Sequence, residues 1–295
     1  MTSQPGGASG RPSIAATKTL DALTATRPPA TSRRRNWGSL VWWLVFLAGL
    51  LYFFVPLYAT FVFSLRAQPE FAAYANVFDD RQFVASLFYS TAIGIVTIVT
   101  SIVIIVPTAY WVRLRLPRLR PVVEFVTLLP FVIPPVILVF GLIRSYSGDP
   151  FPLTYSDFGS DVLLVAAYVV LSLPYMYRAV DSGLRAIDVL TLTEAAQSMG
   201  AGWFTILWRV IFPNLRVALL SGAFLTLAIV IGEFTIATFL ARPAFGPYLS
   251  LLGRSRAYEP AAVSLISFGL TWIAMGAISL LARGSRERIQ VAGAR

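Results

Sequence analysis

The chain has no cysteine and no histidine among its 295 residues. Without cysteine it forms no disulfide and offers no thiol nucleophile, and without both residue types it has no Cys/His metal site. The same absences exclude Ser-His and Cys-His catalysis. We therefore predict no catalytic residue, no metal site and no cofactor, and we expect the chain not to be an enzyme.

Lysine is nearly absent as well, because Lys18 is the single lysine and it follows Thr17. A Walker A loop requires the pattern Gly-x-x-x-x-Gly-Lys-Ser/Thr, in which backbone amides and the lysine hold the phosphates of a nucleotide. This pattern does not occur in the sequence. If the protein takes part in an ATP-driven process, the ATPase must be a separate chain.

Charge is scarce too. Charged residues make up 13% of the chain and hydrophobic residues 57%, with a mean hydropathy of +0.71, whereas about a quarter of a soluble domain is charged. Six apolar stretches are each long enough to cross a hydrocarbon core about 30 Å thick as a helix. They occupy residues 40–64, 86–111, 121–143, 161–180, 216–240 and 261–282. The predicted fold class is all-α, a polytopic membrane protein with six transmembrane helices.

The net charge of +10 is explained by membrane topology. If the N-terminus is inside, 18 of the 24 basic residues lie in segments assigned to the cytoplasm. The positive-inside rule then places both termini in the cytoplasm. A surplus of arginine in these loops is a topology signal, so we expect no nucleic-acid partner.

Two features within the predicted spans are candidates for a transport pathway. Pro130, Pro134 and Pro135 lie in the third span, where prolines remove donors and crowd the preceding turn. They indicate either a broken helix that lines a pathway or a proline kink between packed helices. Glu233 is the one acid well inside a span, and it either contacts a cationic substrate or gate, or bonds to a neighbouring helix. Near the start of the third span, Glu124 is predicted to pair with Arg120 or Arg113.

The most informative segment is residues 194–213, EAAQSMGAGWFTILWRVIFP. Thr193 provides a hydroxyl cap ahead of an acidic, helix-forming first turn. Gly200 can end that helix, and Pro213 begins a new segment. Between them an apolar face is predicted at helical spacing, formed by Trp203, Phe204, Leu207 and Trp208. The segment is therefore predicted to form two short helices joined at Gly200 at the cytoplasmic surface.

This segment resembles the EAA loop of the inner-membrane permease subunits of bacterial ABC importers. The residues that match the family pattern are Glu194, Ala195, Ala196, Gly200 and Pro213. Val210 and Phe212 stand where the family has isoleucine and leucine. The resemblance implies that residues 194–213 form a coupling helix that sits in a cleft of an ATPase subunit.

Composition, charge distribution and the resemblance together predict a domain organisation. Residues 1–36 are a disordered cytoplasmic tail, 37–82 the first transmembrane helix and an external loop, 83–282 the ABC importer transmembrane domain, and 283–295 a cytoplasmic tail. The implied partners are ABC ATPase subunits, a second permease subunit (homologous or identical), an extracytoplasmic solute-binding protein and the lipid bilayer. The implied location is the bacterial plasma (inner) membrane.

The solute is the least determined feature. The resemblance favours a polyamine slightly, with ferric iron, phosphonate, thiamine or an oxyanion as alternatives. A different class, an ion-coupled secondary transporter, would need no ATPase but would require paired ionisable residues within the membrane, of which only Glu233 is well placed.

Overall fold

The computed structural model describes residues 37–273 and residue 276. Every regular element within these residues is helical. The predicted tails, 1–36 and 283–295, lie outside the described residues, as does the end of the sixth predicted span.

Eleven helices follow one another along the described chain. They are α1 (Trp37–Ser64), α2 (Ala72–Asp79), α3 (Arg81–Leu114), α4 (Arg120–Val132), α5 (Pro135–Tyr146), α6 (Asp157–Arg185), α7 (Val189–Ser198), α8 (Trp203–Gly232), α9 (Thr235–Phe239), α10 (Phe245–Ser255) and α11 (Glu259–Ile273). Short 3₁₀ turns lie at Pro117–Leu119 and Leu153–Tyr155.

Four of these helices, α1, α3, α6 and α8, are long and apolar enough to cross a membrane. A fifth span results if α4 and α5 are counted together. Of the sixth predicted span only the part up to Ile273 is described, as α11. The all-α polytopic fold is confirmed, while the described residues supply four or five of the six predicted spans.

The centre of the fold is the packing of α3, α6 and α8. At the end of this bundle that carries α7, their buried side chains form one apolar cluster that includes Val106, Val180 and Leu215. Small residues allow close approach of the helix backbones. A Cβ added at Gly183 of α6 would lie 2.6 Å from the Cβ of Ala218 in α8. Further along the bundle, the buried hydroxyls of Ser101 and Ser172 join α3 to α6 at 3.1 Å.

At the opposite end of the bundle, two further clusters hold the short helices in place. Val139 of α5 packs with Leu164 of α6 and Ile236 of α9. Phe83 of α3 packs with Phe245 of α10 in a cluster that also includes α2 and α11. By contrast, α1 exposes large apolar side chains along most of its length, as expected for a helix that faces lipid.

Candidate functional site: the coupling segment and the broken spans

The helix of the EAA segment begins earlier than the sequence predicts. Asp188 is the N-cap of α7, and its carboxylate accepts the Thr191 amide at 3.2 Å and the Thr191 hydroxyl at 2.7 Å. These hydrogen bonds, with the hydroxyl bond contributing most, lower the pKa of Asp188. The prediction of Thr193 as the cap is wrong, because Asp188 already satisfies the first turn. Thr193 is buried one turn inside, where its hydroxyl donates to the Val189 carbonyl at 2.7 Å.

Gly200 ends α7 in the way that its residue type predicts. Its φ of +79° lies in the left-handed region, where a side chain is disfavoured. The Gly200 amide donates to the Gln197 carbonyl at 2.8 Å, and the Ala201 amide to the Ala196 carbonyl at 3.0 Å. This pair of bonds is a Schellman motif, which satisfies the last carbonyls of the helix. The predicted bend at Gly200 is therefore confirmed.

Pro213 lies in the first turn of the α-helical stretch Phe212–Gly232, as predicted, but no break separates this stretch from the helix before it. The chain from Trp203 to Gly232 is one helix, and Pro213 lies inside it. The turns just before the proline, Ile206–Ile211, are π-helical. A π turn is wider than an α turn and rearranges the local hydrogen bonds, so it accommodates a residue that lacks an N–H. The second predicted short helix is thus the first part of the span.

The coupling segment, which we define as residues 188–213, has an inner and an outer face. Ala196, Ile206 and Leu207 are buried in the cluster shared with α3 and α6. Glu194, Ala195, Gly200 and Pro213 are exposed.

The predicted single apolar face of the coupling segment is wrong. Leu207 points inward, while the side chains of Trp203, Phe204 and Trp208 are 44%, 70% and 57% exposed. The segment is therefore packed firmly against the bundle on one face and accessible on the other.

Ion pairs connect α6 to α4 near this segment. Arg120 donates to Glu124 at 2.8 Å, which confirms one of the two predicted partners, and also lies 3.6 Å from Asp181. Arg113, the alternative partner, lies 3.9 Å from Asp181 instead. Arg185 pairs with Asp181 and approaches Glu124 at 4.0 Å. Arg185 is the last residue of α6. The ion-pair network therefore reaches to within three residues of Asp188, the cap of α7.

The third span is broken at Pro134 and Pro135, whereas Pro130 lies inside α4, which continues through it. The helical segments Pro117–Val132 and Pro135–Tyr146 meet at 100°. Ile133 and Pro134 have ψ of 113° and 139°. Both residues precede a proline, and the residue before a proline is driven out of the helical region. The break itself is confirmed, since a kink within a continuous helix would leave Ile133 and Pro134 helical, while its place along a transport pathway remains a prediction.

A second break follows α8 at Glu233. The carboxyl oxygens of this residue accept hydrogen bonds from the Ile236 amide (2.8 Å), the Ala237 amide (3.2 Å) and the Tyr168 hydroxyl (3.1 Å). Glu233 is 8% exposed. It therefore caps α9 and ties the break to α6, while its contact with a substrate remains a prediction.

The two breaks lie against a common set of elements. Phe140 of α5 and Phe239 of α9 pack with tilted rings whose centroids are 4.8 Å apart. Gly246 of α10 lies against the second break, where an added Cβ would be 2.2 Å from the Glu233 carbonyl oxygen. A displacement of α5 would therefore shift α9 and the adjoining turn at Glu233.

Sequence reasoning missed a polar junction at the same end of the bundle. Arg242 pairs with Asp157 at 2.6 Å and with Asp161 at 2.7 Å, and it donates to the Tyr89 hydroxyl at 3.2 Å. Its side chain is 11% exposed. The spacing of Asp157 and Asp161, one helical turn apart, was the available signal. The junction fixes the end of α9 to α6 and α3.

Known proteins resemble this chain in sequence. Residues 101–285 match the family described as the binding-protein-dependent transport system inner membrane component. The chain is 30% identical over 186 residues to the molybdenum transport system permease protein ModB of Escherichia coli (strain K12), covering 57% of this chain and 80% of ModB. It is 28% identical over 159 residues to the spermidine/putrescine transport system permease protein PotB of Haemophilus influenzae, covering 50% of this chain and 54% of PotB.

A solved structure shows the same fold. A bacterial ABC transporter involved in the import of the acidic polysaccharide alginate superposes with a TM-score of 0.62 at 22% identity, covering 85% of this chain and 98% of that chain. The family match spans more than half of the present sequence, including the coupling segment and both breaks. The chain belongs to the family of binding-protein-dependent transport system inner membrane components, the permease subunits of ABC importers.

Proposed function

We propose that this chain is the permease subunit of an importer for a small charged solute and that a separate ATPase moves it through residues 194–213. The observation that supports this proposal most directly is that the coupling segment is packed against the bundle on one face and exposed on the other. Its inner face is part of the apolar core, while Glu194, Ala195 and Gly200 are exposed and available to a partner. A short helix of this kind is suited to a groove on another protein.

The connections of the coupling segment suggest how force would reach the pathway. Movement of α7 displaces Arg185, and the ion pairs of Arg185 and Arg120 with Asp181 and Glu124 lead to α4. The first break lies at the far end of α4, 13 residues from its start. Pro130, Pro134 and Pro135 would let the two halves move separately, so that the pathway opens to either side in turn.

The surface around the first break supports a second permease subunit. Val132 and Ile137 are 78% and 63% exposed in the single chain. Non-helical backbone within the membrane has unpaired polar groups, so it must lie against protein or a water-filled cavity. A homologous or identical subunit would supply the opposite wall of the pathway. With both termini in the cytoplasm, as the distribution of basic residues predicts, the coupling segment would lie on the ATPase side.

For the solute, the similar proteins support an oxyanion at least as well as a polyamine. The relative named for molybdenum transport aligns over 80% of its length, and the one named for spermidine and putrescine over 54%. The carboxylate of Glu233 is occupied by three protein donors. Its oxygens therefore already have hydrogen-bond partners within the protein, so Glu233 gives no specific support to a cationic solute. A direct contact would require Glu233 to exchange these donors for substrate.

The test is co-expression with an ABC ATPase and a solute-binding protein encoded beside this chain. The ATPase should copurify with the permease, and proteoliposomes loaded with ATP should take up molybdate in preference to spermidine. The variant E194R should lose the ATPase, while E70R, a matched change of an exposed glutamate, should retain it. Uptake driven by an ion gradient without any ATPase would contradict the proposal and favour a secondary transporter.

A further inference from the structure

The exposed side of the coupling segment carries an aromatic surface. Trp111 of α3 meets Trp203 with ring centroids 5.9 Å apart, and Trp208 stacks with Phe204 at 6.2 Å and packs with Phe212 at 4.8 Å. We name these five residues the aromatic strip. Trp111, Trp203, Phe204 and Trp208 are between 44% and 70% exposed. An exposed apolar surface of this kind marks a binding surface or a membrane contact.

Arginines flank the aromatic strip. The helix α8 contains two charged residues, Arg209 and Arg216, which are seven residues apart and therefore near one face. Arg115, the C-cap residue of α3, follows Trp111 by one turn. All three arginines are exposed, and within the part of the chain that the structure describes none of them forms a salt bridge. Their charge is available to an anion.

The length of α8 indicates where this surface lies. At 1.5 Å per residue its 30 residues span about 45 Å, compared with a hydrocarbon core of about 30 Å. The excess of about 15 Å corresponds to roughly ten residues. If α8 extends beyond the hydrocarbon core at the end that bears the coupling segment, the roughly ten residues outside the core are residues 203–212. They carry Arg209 and all of the aromatic strip except Trp111. Arg216 lies one turn further, within reach of the interface by snorkelling.

We propose that the aromatic strip and its arginines form a binding site for anionic phospholipid headgroups, which anchors the coupling segment to the inner surface of the membrane. Tryptophan rings prefer the level of the headgroups, and arginines near an anionic surface are attracted to phosphate. The inward residues of the same segment hold it to the bundle. The placement on the inner surface rests on the proposed function.

The experiment uses the permease–ATPase complex in nanodiscs of phosphatidylcholine alone or mixed with phosphatidylglycerol. Energy transfer from tryptophan to dansyl-labelled lipid reports the preference of the protein for phosphatidylglycerol over phosphatidylcholine. Each arginine should contribute a factor of about five. The double variant R209Q/R216Q should therefore lower the preference about 25-fold. R254Q, an exposed arginine in α10, should leave it unchanged.

The variant R209K/R216K keeps the charge and should retain most of the preference, which separates loss of charge from loss of folding. A preference that survives in R209Q/R216Q, or that falls equally in R254Q, overturns the proposal. Loss of the ATPase from R209Q/R216Q also overturns it, because the strip would then be a surface for the ATPase. Failure of the wild-type chain to bind any ATPase would instead contradict the proposed function, whatever the lipid preference.

Discussion

The second break depends on the carboxyl group of Glu233, and its removal tests the structural role of this residue. The variant E233A would leave the amides of Ile236 and Ala237 and the hydroxyl of Tyr168 without their acceptor. These groups are at least partly enclosed around a residue that is only 8% exposed. Water cannot readily replace the lost acceptor at such a site.

The expected cost follows from the three unsatisfied donors. Each buried group left without a partner costs about 1–3 kcal/mol, and the sum is reduced by relaxation of the site. We expect E233A to lower the free energy of unfolding by at least about 3 kcal/mol. The variant Y168F removes one donor and leaves both amides bonded to Glu233, so it should cost about 1 kcal/mol.

The assay is the thermal unfolding of the purified permease–ATPase complex, followed by uptake of solute into proteoliposomes. E124A is the control for stability alone, since Glu124 belongs to an ion-pair network at half-exposed side chains and its loss should cost about 0–1 kcal/mol. Wild-type stability in E233A, combined with loss of uptake, would refute the capping role and favour direct contact with the solute.

Three smaller changes test other parts of the structure. G200A should cost about 1 kcal/mol because Gly200 has φ of +79°, whereas G202A, at φ of −74° and with open space, should cost less. G183A should cost about 1–3 kcal/mol through the 2.6 Å contact with Ala218. Thermal unfolding of the complex measures both. D188A should be less stable than wild type above the ordinary aspartate pKa of about 3.9. Since the folded-state pKa of Asp188 is lowered, that stability difference should disappear as the pH falls through the folded-state pKa, which a pH series of unfolding measures.

Local chemistry explains why parts of the candidate site could be predicted from the sequence. The third span breaks at Ile133–Pro134 because two consecutive residues each precede a proline. Gly200 ends α7 because a left-handed residue is needed there. Both outcomes depend on neighbouring residues, so no tertiary contact had to be known.

The errors arose where local signals compete or where distant residues decide. Asp188 and Thr193 are both acceptable caps, and the choice depends on the packing of Val189 in the core. Pro213 is a helix breaker by residue type, yet a π-helical stretch absorbs it within α8. Glu233 accepts a hydrogen bond from Tyr168, which is 65 residues away in the sequence. The pattern of residues along the chain does not predict a contact over that distance.

Cysteine cross-linking tests the central claim, that an ATPase chain binds the exposed face of α7 in the coupling segment. The natural chain has no cysteine, so A195C introduces a unique thiol on that face, and Y155C places a control thiol at an exposed position outside the segment. In membranes that contain the complex, a short bifunctional thiol reagent should join A195C, and not Y155C, to an ATPase chain that carries one cysteine in its docking cleft. Absence of this product, together with labelling of A195C by an impermeant reagent added outside the cell, would contradict the account.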